Sequence, residues 1–376
     1  MDAGGLIGRV TEVLTRSGLS KKEFADRIGI DGSKLAKSLA DRRRFTSLEL
    51  ALIAELDGTT VDWLLTGDAT REIVFAHRAA EHAVEAGDLV GREAIEQLVE
   101  RAEGLTFLGR ELPAPDLPRP PSGRGWLKQA NTLASRYLEA FGGPVGGLSN
   151  TELIGRIEDR FGIDVVVTDL PDSCDGLSFS DGGARAIILA TTEAPFRQRF
   201  TLAHELAHVA FGDSHDEVIE ERLYATKTTT EKRANTFAAT FLASRSEILD
   251  VCGARSPVDA FDELVLHFQL SPDSMSWRLF NEEMIDAPTQ RRLAGTTARS
   301  IAMRAGRAAE HTDRARLAQH ARPAQRLVDA YLEAYRDGLT TLRPAASLLG
   351  MSVDQLAAYF VESASEDDVA AFEVDD

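Results

Sequence analysis

The 376-residue chain is longer than one average domain and is 43% apolar and 27% charged, so it can build two or three packed units and is neither a disordered nor a fibrous sequence. Its two cysteines, Cys174 and Cys252, exclude a disulfide framework, and no apolar run approaches the roughly 20 residues that cross a bilayer, so no membrane is involved and a reducing, cytoplasmic setting is expected. With a formal net charge of −18, the chain repels nucleic acid unless basic residues gather in one place.

They gather near the start. Residues 5–67 alternate helical patterns with short polar breaks. Leu6, Val10, Val13 and Leu14 form the first apolar stripe at helical spacing. Phe24 and Ile28 form the second, behind Ser20 and Glu23 at the capping-box spacing. Leu35 and Leu39 form the third, after a break at Gly29 and a cap at Asp31. Leu48–Leu56 and Val61–Leu65 complete five predicted helices. Between Ser20 and Arg44, eight basic residues face four acidic ones, a local net of +4, which is an electrostatic footprint for phosphate. Ala25 is small where two helices would cross, and Gly29 suits a tight turn between them.

Leu19–Ile30, the following helix Ser33–Leu39 and the closing run Thr60–Gly67 resemble the lambda-repressor-like (XRE) helix-turn-helix family over residues 5–68. The resemblance implies that the second helix of the motif enters the major groove of a double-stranded DNA operator. It implies that Ser33, Lys34 and Lys37 face bases or phosphates, that Lys21 touches the backbone, and that Arg42, Arg43 and Arg44 grip phosphate, which positions without specifying. Gly32 lowers helix propensity at the reading helix, so modest sequence specificity is expected. Domains of this kind bind as dimers, which makes a homodimer the expected DNA-binding form, although no dimer seam stands out.

Residues 70–112 are rich in Ala, Glu and Arg, with breaks at Gly87 and Gly104, and read as a helical connector. Leu112–Gly125 holds Pro113, Pro115, Pro118, Pro120 and Pro121; it reads as a semi-extended linker and the main domain boundary. Trp126–Phe141 and Thr151–Phe161 read as helices, and Val165–Val167, Leu177–Phe179 and Ala186–Leu189 as three short strands. From Pro195 onward the pattern is helical again. The expected class is mainly α, with an α+β middle in which a small sheet lies beside helices.

The sharpest feature is Phe200-Thr-Leu-Ala-His204-Glu205-Leu-Ala-His208. A helix advances about 100° per residue, so His204 and His208 share one face, one turn apart. Two imidazoles at that spacing can hold one tetrahedral zinc. Glu205 lies beside them, placed to take a proton from water activated by the metal. An ionisable trio in an otherwise apolar helix is costly to bury without a purpose. The bare motif also arises by chance, so a third ligand has to be sought. His215 is one candidate, but Gly212 and His215 each fall one residue late for the metzincin register, and His215 reads as a solvated loop histidine. Glu231 is the other. It opens a helix in which Ala234, Asn235, Ala238, Phe241 and Leu242 follow at helical spacing. There it could complete a two-His, one-Glu site with an open fourth position, or simply face the positive end of a helix dipole.

Phe200–His208, followed by Glu231–Ala238 and Phe241-Leu242, resembles the ImmA/IrrE family of metallopeptidases over about residues 126–245, and Ile157–Leu189 fits as well. Where that family usually continues Leu-Met-Pro, this chain has Leu242-Ala243-Ser244. The resemblance implies a zincin-like α+β domain in which His204, His208 and Glu231 hold Zn2+ and Glu205 is the general base. The implied organisation is a DNA-binding domain at 1–70, connector and linker at 71–125, a peptidase domain at 126–250 and a helical region at 251–376. The implied function is a DNA-binding transcriptional regulator whose endopeptidase cuts a repressor-like protein. Two rivals stand beside it: a metal-sensing regulator that needs the ligands but not Glu205, and an antitoxin-like DNA-binding protein whose acidic end, from Glu362 to Asp376, masks a partner. Cys174 is expected as an ordinary free thiol, and the edge of the strand Leu177–Phe179 as a place where extended peptide adds to the sheet.

Overall fold

The computed structural model describes residues 5–57, 59, 61–66, 76–79, 84–123, 125–171, 174–181, 184–213 and 229–360. The chain divides into two compact units, Met1–Glu72 and Ile73–Asp376.

The first unit contains α1 (Leu6–Arg16), α2 (Lys21–Arg27), α3 (Gly32–Leu39), α4 (Ser47–Asp57) and α5 (Val61–Thr66), five helices where the apolar spacing predicts them. Each start has a local cause. The Glu23 amide donates to Ser20 Oγ at 3.3 Å and the Ser20 amide donates back to the Glu23 carboxylate at 2.9 Å, a complete capping box. Asp31 caps α3 by accepting from the Lys34 amide at 2.8 Å. Between these helices Gly29 turns the chain with φ 72°, a left-handed conformation open to glycine. Val10, Val13, Phe24, Ala25, Ile28, Leu35, Ile53 and Leu64 close the core.

The second unit opens with β1 (Ala76–Ala79) and α6 (Val84–Phe107), then α7 (Trp126–Phe141), α8 (Asn150–Phe161), β2 (Asp164–Thr168), β3 (Cys174–Asp181), β4 (Ala184–Ala190), α9 (Pro195–Phe211) and α10 (Thr229–Leu242). The sheet runs β1-β3-β4-β2, with β2 parallel to β4 and the other neighbours antiparallel. It therefore has one strand more than the sequence predicts. β1 falls in the stretch read as a helical connector; Ala76-His77-Arg78-Ala79 has no β-branched residue, and pairing with β3 rather than local propensity makes it a strand.

Side chains alternate across this sheet. Val165, Val167, Ile187 and Leu189 face α7, α8, α9 and α10, joining Tyr137, Phe161, Leu202, Leu206, Phe237 and Phe241. Leu177, Phe179, Ala186 and Ile188 face the opposite side, with Ile95 and Leu105 of α6. The first of these cores continues through α11 (Arg245–Cys252), α12 (Phe261–Phe268), α13 (Pro272–Asn281), α14 (Ala287–Ala294) and α15 (Ala298–Arg304), using Ile248, Leu264, Phe268, Met275, Leu279 and Ile301. After α16 (Ala308–Ala318), α17 (Gln325–Arg336) and α18 (Arg343–Leu348) return to the second core. Between them, Arg322 exchanges backbone hydrogen bonds with Val167 at 2.8 and 2.9 Å, so the outer edge of β2 is covered. The proline-rich stretch read as a linker lies along this unit. Arg185 donates to the Pro115 carbonyl at 2.8 Å and Arg136 to that of Arg119 at 2.6 Å. A Cβ on Gly162 would stand 2.7 Å from the Pro113 carbonyl oxygen. No described helix is long and apolar enough to cross a membrane.

Phe237 ties these layers together, stacking on Phe241 at 5.8 Å and edge-on to Tyr137 at 5.4 Å. Phe237→Ala is expected to cost about 3–5 kcal/mol, as a buried aromatic truncation does, read as a lowered denaturation midpoint. A loss below about 0.5 kcal/mol, within the range of a surface change, would contradict this packing.

Candidate metal centre

α9 is buried along nearly its whole length because it lies between the sheet and α10. Pro195 occupies its first turn, and Gly212, with φ 70°, ends it. His204 and Glu205 are 0% exposed and His208 is 2% exposed. The two histidine Nε2 atoms lie 3.1 Å apart. α10 brings up Glu231 at its start because Ala234 and Ala238 let it approach closely. Glu231 Oε2 stands 3.4 Å from His204 Nε2, and Oε1 stands 3.4 Å from His208 Nε2. Among the described residues these three form the group of His, Cys, Asp or Glu able to hold a metal ion.

The donor set fits zinc. Ligands about 2.0–2.1 Å from a tetrahedral ion are separated by about 3.3–3.4 Å, and the two imidazoles at 3.1 Å, each 3.4 Å from one oxygen of the Glu231 carboxylate, lie close to that range. Two imidazoles and one carboxylate also leave a fourth position open, as in catalytic rather than structural zinc sites.

The electrostatics of the cluster are coupled. Burial raises the pKa of Glu231, but the two imidazoles outweigh it and hold the carboxylate well below its usual range. Burial lowers that of His208, but Asp213, Glu231 and Glu205 together raise it to about 10. Glu205 is pushed upward by burial, against the opposing pull of His208 and His204. Neither of its carboxylate oxygens has a hydrogen-bond partner among the described residues. The Ser178 hydroxyl of β3 faces that carboxylate without reaching hydrogen-bond geometry.

Behind the ligands stands a support that belongs to no sequence motif. His208 Nδ1 is 3.6 Å from Asp213 Oδ2, and Asp213 pairs in turn with Arg233. The Arg233 guanidinium lies over the Phe211 ring, 4.1 Å from its centroid. The Asp213–Arg233 pair ties the end of α9 to the first turn of α10 and sets a carboxylate facing the far nitrogen of His208, just beyond hydrogen-bond reach. The one sequence signal was a carboxylate placed directly after the helix-ending Gly212.

The other predicted residues fall as follows. His215 lies outside the described residues. Cys174 is a buried thiol in no disulfide at the start of β3, its Sγ 3.6 Å from the Gly176 carbonyl, and does not join the triad. In the first unit Lys21, Ser33, Lys34, Lys37, Arg42 and Arg44 are exposed. Arg43 is turned inward: it forks onto Glu49 at 2.6 and 2.9 Å and donates to Ser38 at 3.0 Å. Its charge is thus matched within the turn between α3 and α4.

Residues 158–280 match the family model Peptidase_M78, the IrrE N-terminal-like domain. No curated protein matches the chain. The matched region contains the whole triad and supports a peptidase of the ImmA/IrrE kind.

Two outcomes follow from this geometry. A metal ligand must be neutral imidazole, while Asp213, Glu231 and Glu205 push the pKa of His208 up against the opposing effect of burial. Zinc binding near neutral pH is therefore expected to release a proton and to strengthen as pH rises, which calorimetry in buffers of different ionisation heat measures; no release would contradict the charge assignment. Asp213→Asn is expected to weaken zinc binding by about 10–100-fold, as loss of an outer carboxylate does, in a chelator competition.

Proposed function

We propose that the chain is a DNA-binding transcriptional regulator with a zinc-dependent endopeptidase that cuts a repressor-like protein. The observation that carries this reading is the meeting of His204, His208 and Glu231 beside a buried Glu205 without a hydrogen-bond partner among the described residues. A Zn2+ ion bound there supplies Lewis acidity, polarising the scissile carbonyl and acidifying water. The remaining work belongs to the chain. α9 and α10 hold the ligands, and the Asp213 carboxylate stands 3.6 Å from the other nitrogen of His208, where it favours the orientation in which Nε2 faces the metal. Glu205 takes the proton of the attacking water on its carboxylate and hands it to the departing amide nitrogen. Burial raises its proton affinity, which suits a group that must both accept and release a proton near neutral pH.

Glu205 also weighs against the metal-sensing alternative. A sensor needs the three ligands but gives Glu205 no task. Burying a carboxylate without hydrogen bonds is unfavourable, and hydrolysis supplies the reason to keep it. In the first unit, the exposed Lys21, Ser33, Lys34, Lys37, Arg42 and Arg44 support contact with a double-stranded operator, with a homodimer as the binding form.

Glu205→Gln is expected to keep its zinc and to lose cleavage of a repressor-like protein encoded beside it by roughly 100- to 10,000-fold, the size of a general-base contribution. Unchanged cleavage would remove the assigned base. For DNA, Lys34→Ala combined with Lys37→Ala is expected to weaken binding at all sequences and to reduce the salt slope by about 2. Arg43→Ala is expected to leave that slope unchanged and to lower the stability of the first unit.

A further inference from the structure

β3 is the strand that runs beside Glu205. A Cβ on Gly176 would stand 2.7 Å from Thr201 Cγ2 of α9, and one turn further along that helix Glu205 is faced by Ser178. One edge of β3 is bonded to β4, with Gly176 opposite Leu189 and Ser178 opposite Ile187. An extended polypeptide adding to the other edge would present its backbone along the line from Gly176 to Ser178, past the carboxylate.

That edge is taken by the chain's own β1. Ala76 lies opposite Ser178, His77 opposite Leu177, Arg78 opposite Gly176 and Ala79 opposite Cys174, antiparallel, with a register break between Arg78 and Ala79. β1 borders α9 as well. The attachment is slight: four residues, an irregular register and no β-branched side chain. β1 also stands at the head of the second unit, a few residues after Glu72, where the first unit ends.

We propose that Ala76–Ala79 is an internal occupant of the substrate's edge: it pairs with β3 where an extended segment of the target protein pairs, so the peptidase stays closed until β1 leaves. This rests on the peptidase reading given above. The target segment it implies is unfolded and recognised chiefly through its backbone, since strand addition is driven by main-chain hydrogen bonds.

Two full-length variants test this with labelled unfolded casein as the probe. His77→Pro with Arg78→Pro removes a ladder donor whichever of the two amides faces β3. Ala79→Cys sets a second thiol opposite Cys174, so that oxidation locks β1 in place and reduction frees it. Binding is read by fluorescence anisotropy in zinc-loaded Glu205→Gln protein, and cleavage with Glu205 intact. The proline variant is expected to bind at least about tenfold more tightly than its parent, a change of about 1.4 kcal/mol, and to be cut faster. The oxidised lock is expected to bind at least about tenfold more weakly than its reduced form. Equal binding in both comparisons, or failure of the two thiols to cross-link, overturns the proposal. If binding responds as expected but no variant with Glu205 intact cuts casein, the edge assignment holds and the peptidase reading falls. If cutting occurs but neither variant changes it, the peptidase reading holds and the occupant role falls.

Discussion

The approach of α10 to α9 is the contact on which the second unit's chemistry depends. Ala234 and Ala238 are fully buried where larger side chains would hold the helices apart. Their small size sets the distance at which Glu231, at the head of α10, meets both imidazoles at 3.4 Å. The aromatic cluster of Tyr137, Phe237 and Phe241 supports α10 from behind, and the sheet supports α9 from the other side. A rigid core thus holds the two imidazoles 3.1 Å apart, with one carboxylate oxygen of Glu231 3.4 Å from each, as a preorganised metal site requires.

Four ionisable groups in so small a volume would be costly unless they shared charge. Here they do. Glu231 is held anionic by two imidazoles, and His208 is supported from its other nitrogen by Asp213, which is itself matched by Arg233. Glu205 is the exception, buried and without a hydrogen bond among the described residues. Its charge is met only through space, by the two neighbouring imidazoles.

Parts of this were legible in the sequence for clear reasons. The five helices of the first unit announce themselves through apolar stripes and through caps at Ser20 and Asp31, which are local signals. The pair His204 and His208 is visible because an interval of four residues means one face of a helix. Glu231 is less visible: its side chain reaches the site only because two helices pack; spacing weighed against His215, but it took a likeness to other metallopeptidases to single out Glu231. Asp213 and Arg233 carry no periodic signal, since their partnership exists only once the end of α9 meets the start of α10. Arg43 looked like one of three equal arginines, but Glu49, six positions on, claims it. β1 was hidden because alanine, histidine and arginine suggest a helix, and only β3 makes them a strand. The prolines from Pro113 to Pro121 suggested a boundary, yet Arg185 and Arg136 hold their backbone against the second unit.

Anomalous diffraction from zinc-loaded crystals, recorded on both sides of the zinc edge, tests the central claim most directly. A single peak is predicted inside the triangle of His204 Nε2, His208 Nε2 and the Glu231 carboxylate, about 2.0–2.2 Å from each ligand atom, with Glu205 outside the coordination shell. A peak elsewhere, or zinc bound with Glu231 turned away from the two histidines, would contradict it.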